Sequence, residues 1–222
     1  MKFHKRPSAV IFDFDDTLVN TRPIINKALD STFAKFNIDR KIIQDRDIDV
    51  NRSMRDYFHQ IFADNIVEAR DTYYSYYDEF SKDLEKFENA EAVLNLLKQH
   101  NLFTAIVSNK SGSRLRDEIQ NKFMWNNFFD AVVGSGDAPE DKPSILPAKF
   151  ALTAASLEDY EDVWFIGDSL VDLKTAKNLG AKGILFGSNG IDNYKVPIYT
   201  SVNNHGELLE LLENILKVKG DY

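Results

Sequence analysis

Val10-Ile11-Phe12-Asp13-Phe14-Asp15-Asp16-Thr17-Leu18-Val19 opens as an apolar run of β-branched and aromatic residues, then meets three carboxylates. The run reads as a buried strand. Acids at the end of such a strand are costly unless they are hydrated, paired or bound to a cation. In an open α/β sheet the carboxyl end of a strand faces the crevice where ligands bind. Asp13 and Asp15 are two residues apart, so in extended chain their side chains share a side. The chain must turn there, and the Thr17 hydroxyl can bond back into the turn. The stretch is a candidate site for a hard divalent cation, Mg²⁺, with a carboxylate nucleophile beside it. Taken alone, it also fits a strand followed by an acidic, solvated turn, and the rest of the chain decides between the two.

Outward from this stretch, Asn20 to about Phe87 changes character. Ile25, Leu29, Thr32, Phe33 and Phe36 recur at helical spacing, and Asp39 to Val50 is a polar connection. Tyr57, Phe58, Ile61 and Phe62 predict a second helix, and Ile66 to Leu84 a tyrosine-rich third. The region reads as an all-helical insertion of about four helices, its tyrosines packing between helices. From Asn89 onward apolar strands alternate with helices. Strands are predicted at Phe103 to Val107, Phe128 to Val133, Val163 to Ile166 and Gly183 to Phe186. Helices are predicted around Ala92 to Leu97, Leu115 to Lys122, Pro147 to Leu157 and Leu173 to Leu179. A last helix runs from Leu208 to Leu216, with Gly180 as a helix stop and Asn204 as a cap. This alternation predicts an α/β fold with a parallel sheet covered on both faces. Residues 1–19 and 88–222 form one domain in this reading, and residues 20–87 the inserted one.

Composition sets bounds on function. At 222 residues, 43% hydrophobic and 28% charged, the chain suits one large soluble domain or one with an insertion. The formal net charge of -8 argues against a nucleic-acid partner. A small anionic substrate would need local positive charge to offset that field. With no Cys, disulfides, thiolate catalysis and Cys-zinc sites are excluded together. No stretch is long and apolar enough to span a bilayer. A cytoplasmic monomer or homodimer is expected. The four histidines (His4, His59, His100 and His205) are scattered and read as surface or packing residues, and Ser188 lacks the five-residue pattern of a nucleophile elbow.

Polar groups recur just beyond the apolar strands: Asp13 and Asp15, then Ser108 and Asn109, then Lys142, then Asp168 and Asp172. In a parallel sheet these ends lie along one edge, so distant residues converge in one crevice. Crowded carboxylates repel unless a cation sits among them, and Mg²⁺ meets that need with oxygen ligands. The lysine is then free to face the other way, onto an anionic group, and Ser108 can take phosphoryl oxygens.

Asp13-Phe14-Asp15-Asp16-Thr17-Leu18, Ser108-Asn109-Lys110, Lys142-Pro143 and Gly167-Asp168-Ser169-Leu170-Val171-Asp172 resemble, in order, the four motifs of the haloacid dehalogenase superfamily. The likeness spans nearly the whole chain, because a helical cap follows the first motif in one of its subfamilies. Within it, the second and third motifs are most similar to those of phosphoglycolate phosphatases. The resemblance implies a Rossmann-like three-layer α/β/α core with an inserted all-helical cap domain. It implies a Mg²⁺-dependent phosphomonoester hydrolase acting on a small phosphorylated metabolite. Asp13 would carry an aspartyl-phosphate, Asp15 would act as acid and then base, and Thr17 would help position Asp15. Metal would be held by Asp13, the backbone carbonyl of Asp15 and Asp168, with Asp172 ligating or supporting. Ser108, Asn109 and Lys142 would bind substrate, while Arg52 or Arg55 in the cap would reach a carboxylate or second phosphate. A phosphomutase of the β-phosphoglucomutase type shares every core residue, and a non-catalytic binding protein of the same fold is the remaining alternative. One departure is Asp16, where many relatives carry Gly.

Overall fold

The computed structural model describes residues 5–45, 54–62, 65–187 and 195–216. The chain divides into two compact units, Met1–Leu18 with Lys86–Tyr222, and Val19–Glu85.

The first unit is built on a six-stranded parallel sheet. Its strands are β1 (Ala9–Phe12), β4 (Phe103–Ser111), β5 (Ala131–Ser135), β6 (Val163–Gly167), β7 (Lys182–Phe186) and β8 (Thr200–Val202), in the spatial order β5-β4-β1-β6-β7-β8. The opening apolar run is the central strand, and every residue of β1 is buried. Burial on both sides is what its unbroken hydrophobicity requires. Phe12 stands opposite Ile106 of β4 and Ile166 of β6. With that register Asp13 and Asp168, just past β1 and β6, and Ser108 on β4 stand at nearly the same level on three adjacent strands.

Helices cover both faces. The helices of this unit are α5 (Ala90–Gln99), α6 (Gly112–Asp117), α7 (Leu146–Ala151), α8 (Leu170–Leu179) and α9 (His205–Leu216). Ala9 and Ile11 share a buried cluster with Val107, Val133 and Phe165 of the sheet, Ala148 and Ala151 of α7, and Ala176 and Leu179 of α8. Small residues on the two helices let them lie close against the strands. The pleat turns Val10 and Phe12 the other way. On that face α5 packs on β4 and on α9, burying Leu94, Leu97, Leu208 and Leu212 outside the first cluster. Each such leucine contributes about 1.5–3 kcal/mol on leaving water. This is the Rossmann-like α/β arrangement.

The second unit holds α1 (Arg22–Lys35), α2 (Ile42–Asp45), α3 (Met54–Phe62) and α4 (Ile66–Phe80). A Pro at the start of α1 suits the first turn of a helix. Phe33, Phe58, Phe62 and Tyr73 form its aromatic centre, with Phe33 stacked on Phe62 at 5.8 Å and Phe58 edge-on to Tyr73 at 5.5 Å. The short helix α2 lies where a polar connection was predicted. Two two-residue strands, β2 (Val19–Asn20) and β3 (Glu85–Lys86), pair where the chain passes between the units. Arg52 and Ser188 lie outside the described residues, as does the side chain of Arg55, whose backbone is in α3.

Candidate active site

Asp13 is delivered by the β-ladder itself. Its N–H donates to the Ile166 carbonyl at 2.8 Å, which carries the β1–β6 pairing one residue past the strand. Its side chain turns back, and Oδ1 accepts from the Phe14 N–H at 2.7 Å. Phe14 points the opposite way into an aromatic cluster with Phe123 and Trp125, at 6.2 and 6.5 Å. The alternation Asp-Phe-Asp thus anchors one ring while exposing two carboxylates to the crevice. Asp16 follows at φ 55° and the Leu18 N–H closes the turn on the Phe14 carbonyl at 2.9 Å. Left-handed backbone is the region that Gly enters most easily, and Asp is among the side chains that tolerate it.

Lys142 is the electrostatic centre. Its Nζ lies 2.9 Å from Asp13 Oδ1 and 2.7 Å from Asp172 Oδ1, and the residue is 5% exposed. The expectation that this ammonium faces away from the acids is corrected here: it bridges two of them. One ammonium shared by two buried carboxylates leaves a net negative charge. Burial pushes the Asp13 carboxyl up to about 7, against the pull of Lys142, and the charges of Asp172 and Asp15 add to the rise. Burial alone would lower the Lys142 ammonium, but Asp13 and Asp172 hold it above the ordinary lysine value.

The backbone of Lys142 is fixed by Asn109, whose Oδ1 accepts from Lys142 N at 2.8 Å and whose Nδ2 donates to Lys142 O at 3.0 Å. The Asn109 amide, expected to touch substrate, is engaged at both ends in holding the lysine. Asp172 is equally well held. Its Oδ2 accepts from Ser169 N at 3.1 Å and Ser169 Oγ at 2.5 Å, while Ser169 caps α8. This is a capping box with Asp in the third position, legible as Ser169-x-x-Asp172 but not read as one.

Carboxylate oxygens of Asp13, Asp168 and Asp172 all lie within 4.8 Å of one another. An all-oxygen donor set in surplus negative charge fits a hard divalent cation. The Asp15 carboxylate lies elsewhere: its Oδ1 is 3.0 Å from Lys110 Nζ. Ser108 is buried on β4, its Oγ accepting from Lys110 N at 3.2 Å. Thr17 is fully buried and its hydroxyl has no hydrogen-bond partner among the described residues, so the expected bond back into the turn is not made. The sequence reading missed Lys110, Glu118 and Ser169. For Lys110 the available signal was its two-residue spacing from Ser108, which in a strand puts both on one side.

A model of the haloacid dehalogenase-like hydrolase family matches residues 10–186. A curated phosphoglycolate phosphatase of Cereibacter sphaeroides is 28% identical over 218 residues, covering 93% of this chain and 98% of that one. The pyrophosphatase PpaX of Halalkalibacterium halodurans is 25% identical over 181 residues, covering 81% and 83%. Among solved structures, a HAD-superfamily hydrolase from Ehrlichia chaffeensis is 30% identical with a TM-score of 0.65, covering 96% of this chain and 98% of that one. No helix among the described residues is long and apolar enough to cross a membrane.

Proposed function

Because the chain belongs to the haloacid dehalogenase-like hydrolase family, we propose that it is a Mg²⁺-dependent phosphomonoesterase acting on a small phosphorylated metabolite. The observation that carries this is the Lys142 ammonium held on Asp13 and Asp172, two members of a three-acid cluster that Asp168 completes. A carboxylate can approach an anionic phosphate only where positive charge offsets their repulsion. Lys142 supplies part of that charge at the Asp13 oxygen. Ser108 and the Lys142 ammonium receive the phosphoryl oxygens, and Asn109 acts by holding Lys142.

In the first step an Asp13 oxygen forms a bond to phosphorus, the bond to the ester oxygen breaks, and Asp15 gives that oxygen a proton. The products are an alcohol and an aspartyl-phosphate. In the second step water attacks phosphorus, Asp15 takes its proton, and inorganic phosphate leaves Asp13 free. Thr17 is fully buried in the same turn as Asp15, and it is by packing, not by a hydroxyl bond, that it helps hold the turn carrying Asp15. Mg²⁺ would be held by Asp13, Asp168 and the Asp15 carbonyl with Asp172 in support, and when bound it neutralises phosphoryl charge. The helical unit, residues 19–85, is the proposed cap, with Arg52 and Arg55 as its substrate-selecting candidates. The names of the relatives make phosphoglycolate and pyrophosphate the first substrates to try.

The test is phosphate release from a metabolite panel with Mg²⁺ or with EDTA. Metal-dependent release is expected, and Asp13→Asn should abolish it while the circular dichroism spectrum stays that of the parent. Substantial activity in Asp13→Asn overturns the nucleophile assignment. An isomerised sugar phosphate in place of free phosphate would identify a mutase instead.

A further inference from the structure

Lys110 takes no part in the chemistry above, yet it is buried among charged partners. Its Nζ lies 3.0 Å from Asp15 Oδ1 and 3.0 Å from Glu118 Oε2, with side chains 7%, 22% and 8% exposed respectively for Lys110, Asp15 and Glu118. The same ammonium stands 5.4 Å from the centre of the Phe14 ring. The three charged residues come from three different elements: the turn after β1, the strand β4, and the first residue of the wide helical turn at 118–122. Glu118 is set by its own backbone, whose carbonyl accepts from Phe123 N at 2.9 Å. Charges this far from water persist only when paired, so each contact has one favoured geometry.

We propose that Lys110 is a positioning residue for Asp15, and that Glu118 holds Lys110 in place for that purpose. The inference rests on the phosphomonoesterase reading. Without a partner, a partly exposed aspartate samples several rotamers. The Lys110 contact selects the one in which Oδ1 accepts from the ammonium. Oδ2 is then the atom that works. In the acid form Oδ2 carries the proton, while Oδ1 is the carbonyl oxygen that accepts from Lys110. The proton passes from Oδ2 to the ester oxygen as its bond to phosphorus breaks. In the second step Oδ2 takes a proton back from the attacking water. Proton transfer needs the donor within about 2.6–3.2 Å of its target, so a swinging carboxylate forfeits much of the benefit. The burial of Lys110 and Glu118 supports this reading, since burial raises the energetic penalty of any alternative placement.

Leaving groups separate positioning from general support of the fold. An aryl oxide such as p-nitrophenolate departs without a proton, whereas an alkoxide needs one. The experiment compares kcat/KM for p-nitrophenyl phosphate and for phosphoglycolate, an alkyl ester, in the parent, Lys110→Met, Lys110→Arg and Glu118→Gln. Lys110→Met should lose about 30-fold more on the alkyl ester than on the aryl ester, a part of what a general acid supplies. Glu118→Gln should shift the ratio in the same direction by less, and Lys110→Arg should restore part of the alkyl rate. Equal losses on the two esters overturn the inference. Should Lys110→Met fail to fold by circular dichroism, the other two variants decide it: a parental alkyl-to-aryl ratio in both overturns it. A parent protein inert to both esters and to the metabolite panel overturns the phosphomonoesterase reading itself, and the inference with it.

Discussion

At position 167 a β-carbon would lie 2.3 Å from Asp172 Cγ and 2.5 Å from its Cβ and Oδ2. Ordinarily a side chain could yield, but Asp172 is pinned by Lys142 on one oxygen and Ser169 on the other. Gly167→Ala should therefore destabilise the protein by about 1–3 kcal/mol, the usual range for overpacking. Because the displaced group is Asp172, phosphate release should fall in the same variant. Urea unfolding at constant m checks the first effect, and an alanine variant as stable as its parent would show that Asp172 moves freely. The acids and Lys142 were legible in the sequence because polar groups recur beyond successive apolar strands, a repetition that one acidic, solvated turn does not explain. Lys110 was quoted with its motif but given no role. Its meaning depends on Asp15, 95 residues away, and on which side of β4 it stands. The spacing from Ser108 hints at the side, but no local pattern supplies the partner.

Elements show the same division between local and non-local causes. The helix α9 was readable from its leucines, and Asn204 caps it as expected, its Oδ1 accepting from Glu207 N at 3.0 Å. The strand β4 runs on through polar Ser108 to Ser111, where apolarity had suggested an end at Val107. It does so because Ser111 pairs with Ser135 of β5 after a register shift. The predicted helix at Leu115 to Lys122 splits into α6 and a wider turn, which the sequence does not signal. His205, read as one of four scattered histidines, is fully buried at the start of α9, 4.5 Å from the Phe186 ring and 6.0 Å from that of Phe87. Neither ring nitrogen has a hydrogen-bond partner among the described residues. Burial lowers it to about 4, and protonation there would also oppose the positive end of the helix. The folded value lies below the unfolded one, so the unfolded chain binds the proton first as pH falls. The contribution is complete above about pH 6.5 and is lost between there and pH 4. The slope approaches about 1.4 kcal/mol per pH unit. His205→Phe should flatten that part of the stability curve, as followed by urea unfolding between pH 7 and pH 5. An unchanged slope would mean that other groups set it.

For the whole molecule, the charge balance of the site matters more than the net charge of -8. A divalent cation binding only the folded chain at a hundred times its dissociation constant adds about 2.7 kcal/mol. In a chain of this size that raises Tm by about 5–10 °C. Mg²⁺ should therefore stabilise the protein in thermal melts, EDTA should reverse it, and Asp168→Asn should lose most of the shift. Equal melting with and without Mg²⁺ in the parent would count against a cation at the acid cluster. The sheet order has a consequence of another kind, for synthesis. Ala9 pairs with Phe103 on one side and Val163 on the other. At about 10 residues per second, the ribosome releases these neighbours roughly 9 and 15 seconds after the strand they flank. For about the first 9 seconds this apolar segment has no partner on either edge, and until about 15 seconds it has a partner on one edge only. It is then a ready target for chaperones and for other nascent chains, and slower decoding between codons 20 and 160 would prolong that exposure.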